Sequence, residues 1–298
     1  MRVSHSFSAE FDDDNLIAAG GLVPVMLLAE SAGLSDLVDA HITLAGSAGA
    51  NAQVKVGALV GGMVAGADSI SDMDLVRHGG MGRAFSELRA PTTLGTHLRG
   101  YKFGHVRQLD AIASRLLAAL AARVPALVSG VDEMAYVDLD DTIRETHGYA
   151  KQGAGYGYSG VKGLNALVAT LSTPTAAPVI AGIRLRKGSV KSPRGAGKMI
   201  AEALAAARRA GAGGMVTVRA DSAFYQHDVV AAVRRGGAHF SITARMDAAV
   251  VAATSRIPEE AWVGIKYPEA IWDEDEQRWV SDADVAEIHY TAFTSRKK

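Results

Sequence analysis

Two short acidic segments carry the residue types that could do chemistry. They are residues 138–142 (DLDDT) and residues 219–222 (RADS), the second directly after the apolar run MVTV. Alternate residues of a strand share a face, so Asp138 and Asp140 should point to one face and Asp141 to the other. Carboxylates at the end of a buried strand are costly unless they bind a cation or find donors. The two segments therefore predict a cation site where they meet.

Asp140 and Asp221 are the expected ligands of that site. The chain has no cysteine, which leaves carboxylates, imidazoles and carbonyls as ligands, and carboxylates suit Mg²⁺ or Mn²⁺. Two such cations can activate a water or a 3′-hydroxyl and stabilise the leaving oxygen of a phosphodiester. Asp138 is the expected supporting group behind the ligands. The alternative is that these aspartates cap a strand–turn junction and a helix start.

The elements that would position these acids change character at Val131. Apolar residues recur at helical spacing between about residues 15 and 128, which predicts helices there. The rest predicts strands at 134–139, 164–172 and 178–185, a helix at 197–210, a strand at 215–219, a helix at 225–235 and a strand at 239–243. This β-β-β-α-β-α-β order predicts an α/β fold with a mixed sheet, matching the ribonuclease H-like fold. In such a sheet Asp140 and Asp221 lie on neighbouring strands.

The charge distribution points to a phosphate-binding surface. The formal net charge of −1 argues mildly against nucleic-acid binding, but it averages an acid-free basic segment at 182–201 with an acid-rich one at 273–287. The residues predicted to contact DNA are Lys162, Arg184, Arg186, Lys187, Lys191, Arg194 and Lys198. Tyr156 and Tyr158, in a glycine-rich segment expected to be a flexible loop, are further candidates. The alternative is a solvated basic face with no ligand.

Longer motifs give the chain a family resemblance. The run DLDDT, the segment GYAKQGAGYGYSGVKGLNAL and the turn VRADSAF resemble insertion-sequence DDE transposases of the IS-four-like superfamily, thirteen-eighty group. The helical half, notably DMDLVRHGGMGRAFSELRAPTTLGTHLRGYKFGHVRQLD, resembles actinobacterial members. The resemblance makes Asp140 and Asp221 the first two catalytic acids and Mg²⁺ or Mn²⁺ the cofactor. It implies cut-and-paste transposition on double-stranded DNA, namely terminal inverted repeats and a target, by a homodimer.

The resemblance also sets the expected domains: a helical DNA-binding or dimerisation region at 1–130, a ribonuclease H-like catalytic core at 131–255, and the start of a β-rich insertion at 256–298. In this family the third acid, a Glu, follows that insertion on a later helix. We therefore expect a C-terminally truncated chain with little strand-transfer activity. The alternatives are a non-catalytic fragment that binds DNA or dimerises and so antagonises the full enzyme, and a remnant without function. No signal peptide or membrane-spanning run is evident, so a cytoplasmic protein is expected.

Overall fold

The structure is a computed structural model that describes residues 13–148, 151–280 and 283–294. Its N-terminal part is helical, as the apolar spacing predicts. The helices there are α1 (Leu22–Ser31), α2 (Leu34–His41), α3 (Gly46–Gly49), α4 (Ala52–Val64), α5 (Met81–Ala84), α6 (Pro91–Arg99) and α7 (Phe103–Arg123). Short 3-10 helices cover Ser71–Val76 and Pro125–Val128. The helical conformation is interrupted between α1 and α2 at Gly33, whose φ of 86° lies in the left-handed region that glycine tolerates.

The predicted β-β-β-α-β-α-β order is confirmed, with one extra two-residue strand in the segment expected to be a flexible loop. The strands are β1 (Met134–Glu145), β2 (Gly155–Tyr156), β3 (Lys162–Ser172), β4 (Val179–Lys187), β5 (Met215–Ala220) and β6 (His239–Ile242). The helices between them are α8 (Ala196–Arg209) and α9 (His227–Arg235). β1 is twice as long as predicted, because it continues beyond its acids as an antiparallel partner of β3.

These strands form one mixed sheet with β1 near its centre. β3 pairs antiparallel with β1 on one side and with β4 on the other, and its first two residues pair with β2. On the opposite side β1 pairs parallel with β5, and β5 pairs parallel with β6. The carboxyl-terminal ends of β5 and β6 therefore lie at the same edge of the sheet, beside the middle of β1.

The main hydrophobic core lies between the sheet and α8. It includes alternate residues of β1, such as Val137 and Leu139, together with Met199 and Ile200 of α8. Helix α7 contributes to this core through Leu117, while Ile112, earlier on the same helix, packs into a second core with α2 and α4. α7 is thus shared by the helical part and the sheet.

The last part of the described chain has short elements only. They are helix α10 (Ala248–Thr254), a 3-10 turn (Glu259–Ala261), and strands β7 (Val263–Gly264), β8 (Trp272–Asp273), β9 (Arg278–Trp279) and β10 (Asp284–Val285). β8 pairs with β9 and β7 with β10, both antiparallel. Helix α10 was not predicted. Within the described residues, no helix has the length and apolarity needed to cross a membrane.

Candidate metal and nucleic-acid site

Asp140 lies on β1, and Asp221 directly follows the neighbouring parallel strand β5 at the equivalent position. The register of β1 and β5 ends with Leu139 opposite Ala220, and each acid is the next residue along its chain segment. Asp221 keeps an extended backbone, with φ −77° and ψ 180°. Neighbouring strands lie about 5 Å apart, so the backbones of the two acids are separated by about one strand spacing. Both residues are exposed at the surface.

A sharp turn after β5 fixes Asp221. One carboxylate oxygen of Asp221 accepts a hydrogen bond from the Ala223 backbone N–H at 3.0 Å, which caps a 3-10 turn over Ser222–Phe224. The ring of Phe224 is fully buried in the main core and anchors that turn. On β1, one oxygen of Asp140 accepts from the Asp141 N–H at 2.7 Å. The capping role considered for Asp221 is therefore real, and it orients the carboxylate at the strand end.

Asp138 lies on the same face as Asp140 and is held by an arginine from β5. Arg219, its register partner, donates from Nε to Oδ1 at 2.5 Å and from Nη2 to Oδ2 at 2.8 Å. The guanidinium also lies over the ring of Tyr136, 4.1 Å from the centroid. The hydrogen bond to Asp138 is the main cause that raises the pKa of Arg219 above its ordinary value. Asp138 is thus an ion-pair partner beside the two acids.

Asp141 points to the other face, as strand alternation predicts. Its Oδ2 accepts from Arg186 Nη2 at 2.7 Å and from Asn165 Nδ2 at 2.6 Å. The side chains of Arg186 and Asp141 are only 8% and 12% exposed, and burial lowers the pKa of Arg186 while Asp141 opposes that change. Arg186 Nη1 also donates to the carbonyl oxygens of Ser192 and Arg194. This buried cluster fixes the loop between β4 and α8.

The predicted DNA-contacting residues divide into two groups. Arg186 is enclosed by the cluster above, and Arg184 forms an ion pair with Glu202 of α8, which also binds Arg107 of α7. Neither guanidinium is freely available to solvent, since the side chains of Arg186 and Arg184 are 8% and 19% exposed. Lys187, Lys191, Arg194 and Lys198 are exposed, and Lys162 is half-buried at the start of β3. Lys198 lies 3.9 Å from Glu202 but keeps 65% of its side chain exposed.

Three strands place Lys187 on the same face of the sheet as Asp140. Arg144 of β1 is paired with Leu164 of β3, which is paired in turn with Lys187 of β4. Arg144 stands four residues after Asp140 on the same strand, which corresponds to roughly 13 Å at the usual rise per residue. The face therefore carries acids in one row and bases in a row farther along β1.

The donor set fits a hard divalent cation. Asp140 and Asp221 supply carboxylate oxygens at an exposed position, and the described hydrogen bonds engage one oxygen of each. Among residues 13–148, 151–280 and 283–294, no group of three or more acidic, histidine or cysteine side chains could hold a metal ion. The candidate site within the described residues is thus the carboxylate pair.

Sequence reasoning did not assign roles to Arg219 and Asn165. Arg219 stands in the motif that supplies Asp221, two residues before it, and this position in the motif was a usable signal. Asn165 and the pairing of Arg186 with Asp141 had no local signal, because the partners come from three different strands.

The fold and the site together define an α/β protein with two carboxylates on adjacent parallel strands at one exposed edge. The model of the family described as transposase DDE domain group 1 matches residues 3–298, and the chain belongs to that family. No curated protein sequence matches the chain. A chain in the crystal structure of the Mos1 strand transfer complex is similar at 11% identity and a TM-score of 0.23. The match covers 67% of this chain and 63% of the Mos1 complex chain, so this chain spans less than two thirds of the length of that solved chain.

Proposed function

We propose that the chain is a DDE transposase that cuts and joins DNA by metal-dependent phosphoryl transfer. The family supports this class of reaction. The observation that carries the proposal is the register of β1 and β5, which brings Asp140 and Asp221 to equivalent positions on one exposed edge. The quoted motifs favour the IS-four-like superfamily and its thirteen-eighty group as the subgroup.

The order of the sheet supports a ribonuclease H-like core. With β2 set aside, the path β4-β3-β1-β5-β6 has an antiparallel half and a parallel half that meet at β1. The first acid lies on the central strand and the second follows the adjacent parallel strand. We propose residues 131–255 as the catalytic core, 1–130 as a helical DNA-binding or dimerisation region, and 256–298 as part of a β-rich insertion.

Asp140 and Asp221 would hold Mg²⁺ or Mn²⁺ through their exposed oxygens. When bound, such cations activate the attacking water or 3′-hydroxyl and stabilise the leaving oxygen of the phosphodiester. The chain itself provides rigid ligands: the cap from Ala223 orients Asp221, and the bond from the Asp141 N–H orients Asp140. Pre-oriented ligands avoid the entropy cost of ordering side chains when the cation binds.

We propose that DNA lies along the face that carries both acids and bases. Lys191, Arg194 and Lys198 are exposed for phosphate contact in the loop held by Arg186 and in α8, which lie on the other side of the sheet. On the face with the acids, Lys187 is exposed and Lys162 is half-buried at the start of β3. Tyr156 and Tyr158, 68% and 110% exposed, stand beside this surface and could stack on bases of a DNA end. Arg184 and Arg186 leave the proposed DNA-contacting set because internal partners hold them, and Arg186 instead supports the loop that carries Lys191 and Arg194.

The partners follow from the proposed reaction. The substrates would be double-stranded DNA with terminal inverted repeats and a target duplex. Two ends must be held together during transposition, so a homodimer is the proposed active assembly. These are proposals on the whole protein, and they rest on the family and on the acid pair.

The test is cation and DNA binding by the purified 298-residue chain and by three variants. Asp140→Asn and Asp221→Asn should each weaken Mn²⁺ binding, measured by electron paramagnetic resonance of free Mn²⁺, while binding to DNA that flanks the gene is retained. Asp132→Asn, an exposed acid just before β1, is the matched control and should behave as wild type.

Mn²⁺ affinity unchanged in both Asp140→Asn and Asp221→Asn would sink the proposed metal site. DNA binding that persists in a wild-type chain unable to bind Mn²⁺ would favour the non-catalytic, antagonistic fragment. Nicking of the flanking DNA in Mn²⁺, lost in both variants, would be direct support for catalysis.

A further inference from the structure

Three carboxylates, not two, stand on the face where the cation would bind. Asp138 and Asp140 are alternate residues of β1, and Asp221 lies beside Asp140 on the next strand. A cation offered three nearby carboxylates would recruit as many as geometry allows, because each additional negative charge increases its attraction. Whether Asp138 joins the other two acids therefore depends on what else binds it.

Arg219 occupies both oxygens of Asp138. Its Nε and Nη2 atoms make separate bonds to Oδ1 and Oδ2, at 2.5 and 2.8 Å, and the Ser172 hydroxyl lies 3.5 Å from Oδ2. Paired bonds from one guanidinium fix both the position and the plane of a carboxylate. A cation binding Asp138 in this rotamer would have to share its oxygens with the guanidinium, whose positive charge would repel the cation at short range.

The ring of Tyr136 packs against the guanidinium of Arg219. Its ring lies under the guanidinium at 4.1 Å and belongs to the same face of β1 as Asp138, two residues along. Arg219 is consequently bound by a ring and a carboxylate from one strand. Its side chain is nevertheless 45% exposed, and that of Asp138 is 31% exposed, so the pair lies at the open edge and not in the core.

We infer that Arg219 is a positioning residue that keeps Asp138 out of the cation-binding set. The inference rests on the proposed function, since it concerns the same acid pair. The pair between Arg219 and Asp138 is neutral overall, which leaves the site with the charge of Asp140 and Asp221. Loss of Arg219 would free Asp138 to turn toward the cation and add a third carboxylate to the set.

The test is a double-mutant cycle on Mn²⁺ affinity, with Arg219→Ala, Asp138→Asn and the double variant. Removing a positive charge raises cation affinity through space in either background. Recruitment of Asp138 adds to that effect only where Asp138 is present. We expect the factor by which Arg219→Ala strengthens Mn²⁺ binding to be on the order of tenfold larger in the wild-type background than in the Asp138→Asn background, within the range of coupling between contacting residues.

Equal factors in the two backgrounds would reduce Arg219 to a distant charge and overturn the inference. Weaker Mn²⁺ binding in Arg219→Ala would also overturn it, because Arg219 would then support the ligands directly. Circular dichroism checks that each variant is folded, and Arg219→Gln, with the same expected result, replaces Arg219→Ala if the latter does not fold. The cycle is informative once Asp140→Asn has been shown to weaken binding, so failure of the metal site and failure of this inference give different results.

Discussion

The consecutive residues Asp140 and Asp141 of β1 have different roles, one in the proposed metal site and one in stabilising the fold. Asp140 is exposed and lies next to Asp221, whereas Asp141 is buried against Arg186 and Asn165 on the opposite face. The same side-chain type therefore serves as a proposed ligand at one position and as a structural anion at the next. Strand alternation alone produces this division.

We predict that Asp141→Ala mainly lowers stability, whereas Asp140→Ala mainly weakens Mn²⁺ binding. Asp141→Ala leaves the buried Arg186 without its anion and should lower the free energy of unfolding by about 3–5 kcal/mol. Asp140→Ala should change it by less than about 1 kcal/mol, since the side chain is exposed, while weakening Mn²⁺ binding. Urea denaturation and Mn²⁺ titration of both variants check this. Similar losses of stability in the two variants would contradict the assigned faces.

The acid pair could be predicted from the sequence, but the buried cluster could not. Asp140 and Asp221 each follow an apolar run and stand in a short motif, so local spacing places them. Arg186 stands in a segment with no acid, which suggested an unpaired base facing DNA. Its partner Asp141 is far away along the chain, and only strand pairing brings the two together. A charge count over neighbouring residues misses such a pair.

At the scale of elements, glycines let β2 and the end of β4 approach backbone to backbone. The Gly188 N–H donates to the Gly153 carbonyl oxygen at 3.1 Å. A Cβ added at Gly188 would lie 2.0 Å from the Gly163 oxygen and 2.3 Å from the Gly155 oxygen. These are rigid backbone atoms, so no side chain fits there. This close approach ties the segment with Tyr156 and Tyr158 to the basic loop after β4.

We predict that Gly188→Ala displaces β2 from this position. The overlap should lower the free energy of unfolding by about 1–3 kcal/mol, as overpacking does elsewhere. The matched control is Gly57→Ala in α4, where an added Cβ meets no atom within 4 Å. That change should be neutral or stabilising by up to about 1 kcal/mol, because alanine favours helix. Equal denaturation midpoints for both variants would show that the backbone approach is unimportant.

The order of the elements was predictable because apolar and β-branched runs alternate with Ala-rich helical ones. Element ends were less so. The strand expected at 134–139 extends to Glu145. Its second half is largely exposed and charged, so no apolar pattern marks it in the sequence, and pairing with β3 stabilises it. Strand β2 has only two residues and no apolar pattern, so its pairing with β3 depends on the close packing of glycines.

Over the whole molecule, near neutrality conceals a local concentration of bases. The formal charge is −1, yet Lys187, Lys191, Arg194 and Lys198 follow one another along β4, its loop and α8. Because DNA affinity depends on local phosphate neutralisation, this surface would outweigh the overall charge.

We predict that Lys191→Ala combined with Arg194→Ala weakens DNA binding and reduces its salt dependence. The slope of log K against log salt should fall by about 0.9 for each phosphate that is no longer neutralised. Arg234→Ala combined with Arg235→Ala, at the exposed end of α9, removes the same charge and is the control. Fluorescence anisotropy over a range of salt concentrations gives both slopes. An equal fall in the two double variants would mean that net charge, not this surface, governs binding.

Because Asp140 and Asp141 point to opposite faces, a shift in the register of β1 would be destabilising. A slip of one residue would exchange every side chain between the faces. Asp140 would enter the interior among aliphatic groups, Asp141 would leave a guanidinium there without its anion, and Leu139 would meet water. Misaligned intermediates thus lose an ion pair and hydrophobic burial together, so residues on both faces of this strand favour its correct alignment during folding.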